Sequence, residues 1–399
     1  NYLVLGFVNG IACGFSIPIS WTFGAKDYSQ MRRCVANAGW LSALFAVVLT
    51  VFTGLFCRTI LTVMRTPEDI FDGAYWYILI IFLGIPTTFL YNLLAAVIRA
   101  LGDSKTPVYF LAISSVLNIA LDLLLILYCH AGVAGAALAT VISQGVSGLA
   151  CLVFMVKRFP ILHMTAEERR LDGRTCRTLC LMGIPMGLQY SITAIGSIVL
   201  QSAVNGLGSR YVASVAAGTK LFQVICCPFD AMGATMSTYC GQNVGAIKLD
   251  RLGQGLRACS LLGLGYALLS FASIFFFAPQ MALLFLNPGE EALIGYTAQY
   301  ITTLGAFFFP LALVNILRFS IQGMGFSNLA ILAGVMEMFA RMGVATLLVP
   351  AIGYTGACFA SPAAWICADL FLIPASCWSI AHLRRVYGQP GERSGSPAP

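Results

Sequence analysis

Asn118 and Asp122 stand four residues apart in the stretch NIALDLLLI, which is otherwise built of alanine, leucine and isoleucine. Residues at i and i+4 share one face of a helix, so the amide oxygen and the carboxylate can converge on a single guest. An ionised aspartate in the middle of a bilayer costs roughly 3 kcal/mol on insertion scales, and such acids face internal cavities and mark ion pathways. Thr140 adds a hydroxyl from the next apolar stretch, where the small residues of GVAGAALAT let two helices approach closely. Oxygen ligands of this kind suit a hard cation such as Na+, and the carboxylate equally suits a proton. Burial favours the protonated acid and a bound cation favours the ionised one, so occupancy can be exchanged. The plainer alternative, that Asn118 and Asp122 act only as hydrogen-bonding glue between helices, stays open on spacing alone.

The elements that must position these groups follow from composition. The chain has 399 residues, 59% hydrophobic and 10% charged, with a mean hydropathy of +0.85, which lies far outside the range of soluble domains. The fold class is an all-α polytopic membrane protein. Eleven apolar runs long enough to cross a bilayer as helix lie at about 1–22, 38–57, 74–98, 107–128, 133–156, 183–204, 212–240, 256–277, 294–320, 328–350 and 354–380. A transmembrane barrel would read as short alternating segments instead. The fourteen cysteines fall mostly inside these runs, and no paired C-x-x-C spacing in a loop suggests a zinc site or a disulfide framework. No phosphate-cradling loop is present, so ATP is not the direct energy source, and no Ser/His/Asp or metal-hydrolase constellation points to an enzyme.

Lys and Arg collect in alternate loops: Lys26, Arg32 and Arg33; Arg99 and Lys105; Lys157 to Arg177; Lys248, Arg251 and Arg257; Arg384, Arg385 and Arg393. The intervening loops are nearly bare or acidic, with Glu68, Asp69 and Asp72 in one and Glu290 and Glu291 in another. The positive-inside rule makes the first set, and the C-terminus, cytoplasmic. The net charge of +7 is explained by this bias and is no sign of nucleic-acid binding.

An internal repeat links the two halves. Gly24 and Ala25 match Gly245 and Ala246 at an offset of 221, Asn92 and Gly102 match Asn315 and Gly325 at 223, and Gly132, Gly135 and Ala136 match Gly353, Gly356 and Ala357 at 221 again. Two six-helix lobes in parallel orientation are expected, twelve helices in all, with the first helix lying before residue 1 and eleven present here. The expected division is an N-terminal lobe at 1–156 (the second to sixth helices), a cytoplasmic connector at 157–182, a C-terminal lobe at 183–380 (the seventh to twelfth) and a cytoplasmic tail at 381–399. The end of that tail, GQPGERSGSPAP, reads as disordered.

The run from RTPEDIFDGAYWY through RALGDSKTP to NIALDLLLI, followed by GVAGAALATVISQ, resembles the fourth to sixth helices of the multidrug and toxic compound extrusion (MATE) family, and MSTYCGQNVGAIKLDRL resembles its loop after the eighth helix. The resemblance implies an efflux antiporter that exports mostly cationic amphipaths in exchange for Na+ or H+, switching between outward-open and inward-open states. It implies small organic cations and the lipid bilayer as partners, no nucleic acid, no ATPase subunit, a monomer, a place in the cell membrane, and no cofactor beyond the coupling ion. In the archaeal and related branches the cation site uses an Asp and an Asn four apart on the fifth helix and a Thr on the sixth. Those positions are Asp122, Asn118 and Thr140 here, with the Ala136 carbonyl beside them. A further aspartate on the family's first helix has no counterpart in this sequence. Another branch uses acids on the seventh and tenth helices, but Ile184 to Val204 contains no carboxylate and the tenth shows Asn315 and Arg318. Coupling is therefore expected in the N-terminal half. The alternative function is a lipid or lipid-linked oligosaccharide flippase of the wider superfamily, for which several arginines would face a cavity; Arg341, with Lys220, is the candidate for that role.

Glu337 and Arg341 lie four apart and can pair on one face, with Arg341 at the repeat position of Asn118. A structural ion pair is the favoured reading, and a part in substrate contact or switching the sharper one. Pro86 and Pro310 occupy nearly equivalent repeat positions as kinks, able to bend as each lobe rocks or simply static. Lys220 and Asp230 do not share a face, so each needs another partner, and Lys220 can snorkel outward. Met182, Met186, Met232, Met236, Met336 and Met342 read first as packing and second as an adaptable cavity wall.

Overall fold

A computed structural model describes residues 2–63 and 68–387. The expected disordered segment from 388 onward lies outside the described residues. Everything regular among them is helical, as a chain in hydrocarbon requires, because each backbone N–H must find its carbonyl within the same segment. The helices are α1 (Tyr2–Gly24), α2 (Tyr28–Val63), α3 (Glu68–Leu83), α4 (Ile85–Ala100), α5 (Lys105–Leu123), α6 (Gly132–Arg158), α7 (Gly173–Asn205), α8 (Ser209–Gly245), α9 (Asp250–Ala282), α10 (Glu291–Ala306), α11 (Phe308–Gly323), α12 (Ser327–Gly343), the short α13 (Val349–Ile352) and α14 (Tyr354–Cys358), and α15 (Ala360–Tyr387). Among the described residues nine spans are long and apolar enough to cross a membrane, and two bent pairs bring the number to eleven. This is a multi-pass membrane protein.

The bent pairs are α3 with α4, at 45°, and α10 with α11, at 53°. Pro86 lies in the first turn of α4 and Pro310 in that of α11. A proline there loses no hydrogen bond that a new helix start would make, so each bend is tolerated where the ring stands.

The repeat is written into the backbone. Left-handed φ values occur at Lys26 and Ile247, at Gly102 and Gly325, and at Gly132 and Gly353, pairs separated by 221, 223 and 221 residues. Both α5 and α12 relax at their ends into a π turn, at Leu124–Tyr128 and Val344–Leu348. Six loci spread over two halves would not share this geometry unless each half repeated the other's path.

Contacts divide the chain into two compact bodies, Asn1–Gly187 and Leu188–Pro399. The first is centred on buried Phe15, Phe82, Phe89, Ile85 and Ile98. In it α1 crosses the start of α7 at four glycines. A Cβ on Gly10 would come 2.7 Å from the Gly187 Cα, and one on Gly14 2.5 Å from that of Gly183, so only hydrogen allows this approach. The connector between α6 and α7 is folded against the start of α2. Glu168 takes two hydrogen bonds from Arg32, at 2.8 and 2.7 Å, and one from Ser29 at 3.0 Å, while the Trp40 indole donates to the Arg169 carbonyl at 3.1 Å. In the second body Phe229 meets Phe308 edge-on at 5.7 Å, and α8, α9, α10, α11, α12 and α15 pack around that core.

Candidate functional site

Helix α5 carries Asn118 and Asp122, and its start is set by the turn before it. Gly102 takes a φ of 93°, after which the Asp103 carboxylate accepts the Lys105 and Thr106 amides at 3.0 Å each and the Thr106 hydroxyl at 2.6 Å. This carboxylate satisfies amide donors that a helix start leaves free. Desolvation pushes its pKa up, but the hydrogen bonds from Thr106 and Lys105 together with the Lys105 charge bring it below the ordinary value. The capped α5 then packs along α6.

That packing joins three of the four expected ligands. The Asn118 amide donates to the Thr140 hydroxyl at 3.4 Å, and Thr140 donates to the Ala136 carbonyl at 3.0 Å. Asp122 stands one turn further along the same face, and its Oδ1 is buried without a hydrogen-bond partner. All four residues are half-buried. Immediately beyond Asp122 the helix widens, Cys129 donating to the Leu124 carbonyl at 3.1 Å, the i to i+5 spacing that often accompanies functional sites. Rotating the Asn118 amide presents its oxygen where its nitrogen now points. The donor set is then carboxylate, amide oxygen, hydroxyl and carbonyl, which fits a hard monovalent cation; a proton on Asp122 would serve the orphaned oxygen as well.

A second polar centre occupies the other body. Arg318 of α11 forms an ion pair with Glu337 of α12, which also accepts from Arg341 at 3.3 Å. All three are buried, Glu337 to 2% exposure. Asp369 of α15 is 7% exposed, lies within electrostatic reach of Arg318, and has an Oδ1 without a hydrogen-bond partner. Gln322, one turn beyond Arg318, donates to the Gln189 side chain of α7. The i, i+4 pair of Glu337 and Arg341 is thus part of a larger cluster whose charged members come from three helices, α11, α12 and α15, with Gln189 added from α7. Asp369 was missed by sequence reasoning, although its signal was the one that singled out Asp122: a lone carboxylate inside an apolar run, here AWICADLFLIP.

The remaining polar residues find local partners. The Asn315 amide donates to Asp230 at 3.3 Å, and the Lys220 ammonium lies over the Phe285 ring at 5.8 Å on an exposed face. None of the six methionines singled out by sequence is exposed.

The family model described as MatE matches residues 1–124 and 185–347. YoeA and YpnP, both named as probable multidrug resistance proteins of Bacillus subtilis (strain 168), are 32% identical to the chain over 308 and 324 residues. The alignments cover 75% and 78% of this chain and 66% and 69% of those proteins, so the chain spans about two thirds of their length. A solved structure described as the outward-facing conformation of a multidrug resistance MATE family transporter superposes with a TM-score of 0.86. It covers 97% of this chain and 85% of that one at 20% identity, a likeness of fold.

Proposed function

The chain belongs to the MatE family of membrane transporters, and from that premise we propose that it is a secondary antiporter exporting cationic amphipathic compounds in exchange for Na+ or H+. It works as a monomer in the cell membrane, with its C-terminus in the cytoplasm. The observation that carries this reading is the buried, unbonded Asp122 oxygen one turn from the Asn118, Thr140 and Ala136 chain. A carboxylate oxygen left without a donor is costly, and a coupling cation or proton relieves that cost. Ion binding would draw Asn118 and Thr140 together with Asp122 across α5 and α6, and ion release would leave them to the interhelical hydrogen bond described above. The ion gradient thereby biases one arrangement of the N-terminal body over the other. The flippase alternative needs arginines free to hold a pyrophosphate, whereas Arg318 and Arg341 are both engaged by Glu337.

The test is extrusion of a fluorescent cationic dye by dye-loaded, de-energised cells carrying the protein, under an imposed Na+ or pH gradient. The wild type should extrude under one of the two gradients, which names the coupling ion. Asp122→Asn at equal membrane abundance should lose that extrusion. An unaffected mutant reduces Asp122 to packing, and a wild type inert towards several dyes under both gradients overturns antiport of cations.

A further inference from the structure

The coupling site proposed above uses only the N-terminal body, yet four buried charges stand in the other one. Arg318 and Arg341 are positive, Glu337 and Asp369 negative, and the cluster is neutral when both acids are ionised. The two acids are not equivalent. Glu337 contacts both guanidinium groups, so protonating it would leave two buried cations without their carboxylate. Asp369 answers to Arg318 across a longer gap, and its Oδ1 accepts no hydrogen bond.

The orphaned side-chain atoms indicate what is lacking. The oxygens Asp369 Oδ1 and Gln322 Oε1 are both buried without a donor. A protonated carboxyl supplies an O–H, and a cationic amine supplies several N–H groups. Arg318 Nε is an unbonded donor in the same cluster, but a guanidinium stays protonated and so has no proton to exchange. From α11, Asn315, Arg318 and Gln322 face this region, and Asp230 of α8 is already held by Asn315. From α12 come Glu337 and Arg341. Tyr190 of α7 lies within reach of Arg318 and Tyr300 of α10 within reach of Arg341. From α14, Tyr354 donates its hydroxyl to the Tyr296 carbonyl.

We propose that Asp369 is an exchangeable proton site of the C-terminal body, and that its proton and the cationic group of a substrate exclude one another there. The exchange is a simple acid–base step: the carboxylate takes a proton to become a carboxyl, and no other bond changes. With the proton on, Arg318, Arg341 and Glu337 carry one uncompensated positive charge, which repels a cation. With the proton off, the cluster is neutral and Asp369 offers an ionised oxygen to an ammonium or phosphonium group. Mutual exclusion is what an antiporter requires, and the proposal rests on the antiport reading given above.

The test uses the purified protein in detergent with weak buffering and tetraphenylphosphonium as the probe, following proton release on binding. The wild type should release protons, Asp122→Asn should retain the release due to Asp369, and Asp369→Asn, which holds the cluster in its positively charged state, should bind the probe more weakly and release about one proton fewer at saturating probe. Equal release from Asp369→Asn and wild type overturns the proposal. Should Asp369→Asn fail to fold, Asp369→Glu decides the matter: a displaced pH midpoint of release is expected, and an unmoved midpoint overturns it. The infrared carbonyl band of a protonated carboxyl, lost when the probe binds wild type, is the second expected readout, and its persistence counts against the site. A wild type that neither binds the probe nor extrudes dyes sinks the antiport reading itself, whereas binding with unchanged release sinks only the role of Asp369.

Discussion

Glu337 compensates two arginines at once, and that doubles the consequence of losing it. Glu337→Gln keeps the shape of the side chain but takes from Arg318 and Arg341 the carboxylate they share; breaking a buried pair in this way costs about 3–5 kcal/mol. Arg341→Gln leaves the Arg318 pair in place and should cost distinctly less. Thermal unfolding of the two variants in detergent checks the order, and equal losses would mean that Glu337 is not shared. Spacing within one helix exposes Glu337 with Arg341, and Asn118 with Asp122, because the α-helical period puts i and i+4 together whatever the rest of the fold does. The link from Arg318 to Glu337 and Asp369 joins α11, α12 and α15, and no period within a segment encodes which helices will face each other. The site was therefore legible where its members share a helix, with Thr140 joining from the next one, and hidden where packing between segments assembles it, as it does for Arg318, Glu337 and Asp369.

Elements were legible for a different reason, since a bilayer-length apolar run has few options besides a helix. The eleven spans follow from that constraint, whereas the matching glycines follow from the repeat. The crossing of α1 and α7 was less visible, because the glycines of GIACG and GIPMG gain meaning only when set against each other in antiparallel register. Gly14→Leu would drive a side chain into the Gly183 backbone, and there is no flexible neighbour to give way. Membrane abundance and thermal stability should both fall, while Gly39→Leu on α2, where a Cβ meets nothing within 4 Å, should be tolerated; similar behaviour of the two would count against the close crossing. The connector makes a separate prediction. Hydrogen bonds from Arg32, foremost among several, hold the Glu168 carboxyl at about 2, below its ordinary 4.5. A depressed acid stabilises the fold fully above its unfolded pKa, and the benefit drains away as pH falls through the folded value. Hydrogen exchange of residues 163–175, corrected for intrinsic rates, should show protection unchanged from pH 7 to about 4.5 and lost between there and about 2. Arg32→Gln should weaken protection already at neutral pH. Flat protection across both ranges would mean that the clasp does not hold the connector.

At the scale of the whole molecule, orientation decides what the candidate sites can do. The basic loops, including the connector clasped to α2, mark one face, and the turn joining α5 to α6 lies on the other. Cys129 sits in that turn and is exposed, seven residues beyond Asp122 in the chain, or about two helical turns. If that face is external, the N-terminal site lies near the outer surface. A coupling ion moving down an inward gradient then meets Asp122 early in its path, as an antiporter driven from outside needs. A membrane-impermeant maleimide should therefore label Cys129 in intact cells, and Cys129→Ser should remove that label. A cysteine introduced by Glu167→Cys, at an exposed connector position, should react only after permeabilisation. The reverse pattern would turn the molecule over and bring the ion to Asp122 from the cytoplasm. Exchange at that carboxylate would then run against the gradient the antiport reading requires, even with every helix and hydrogen bond in place.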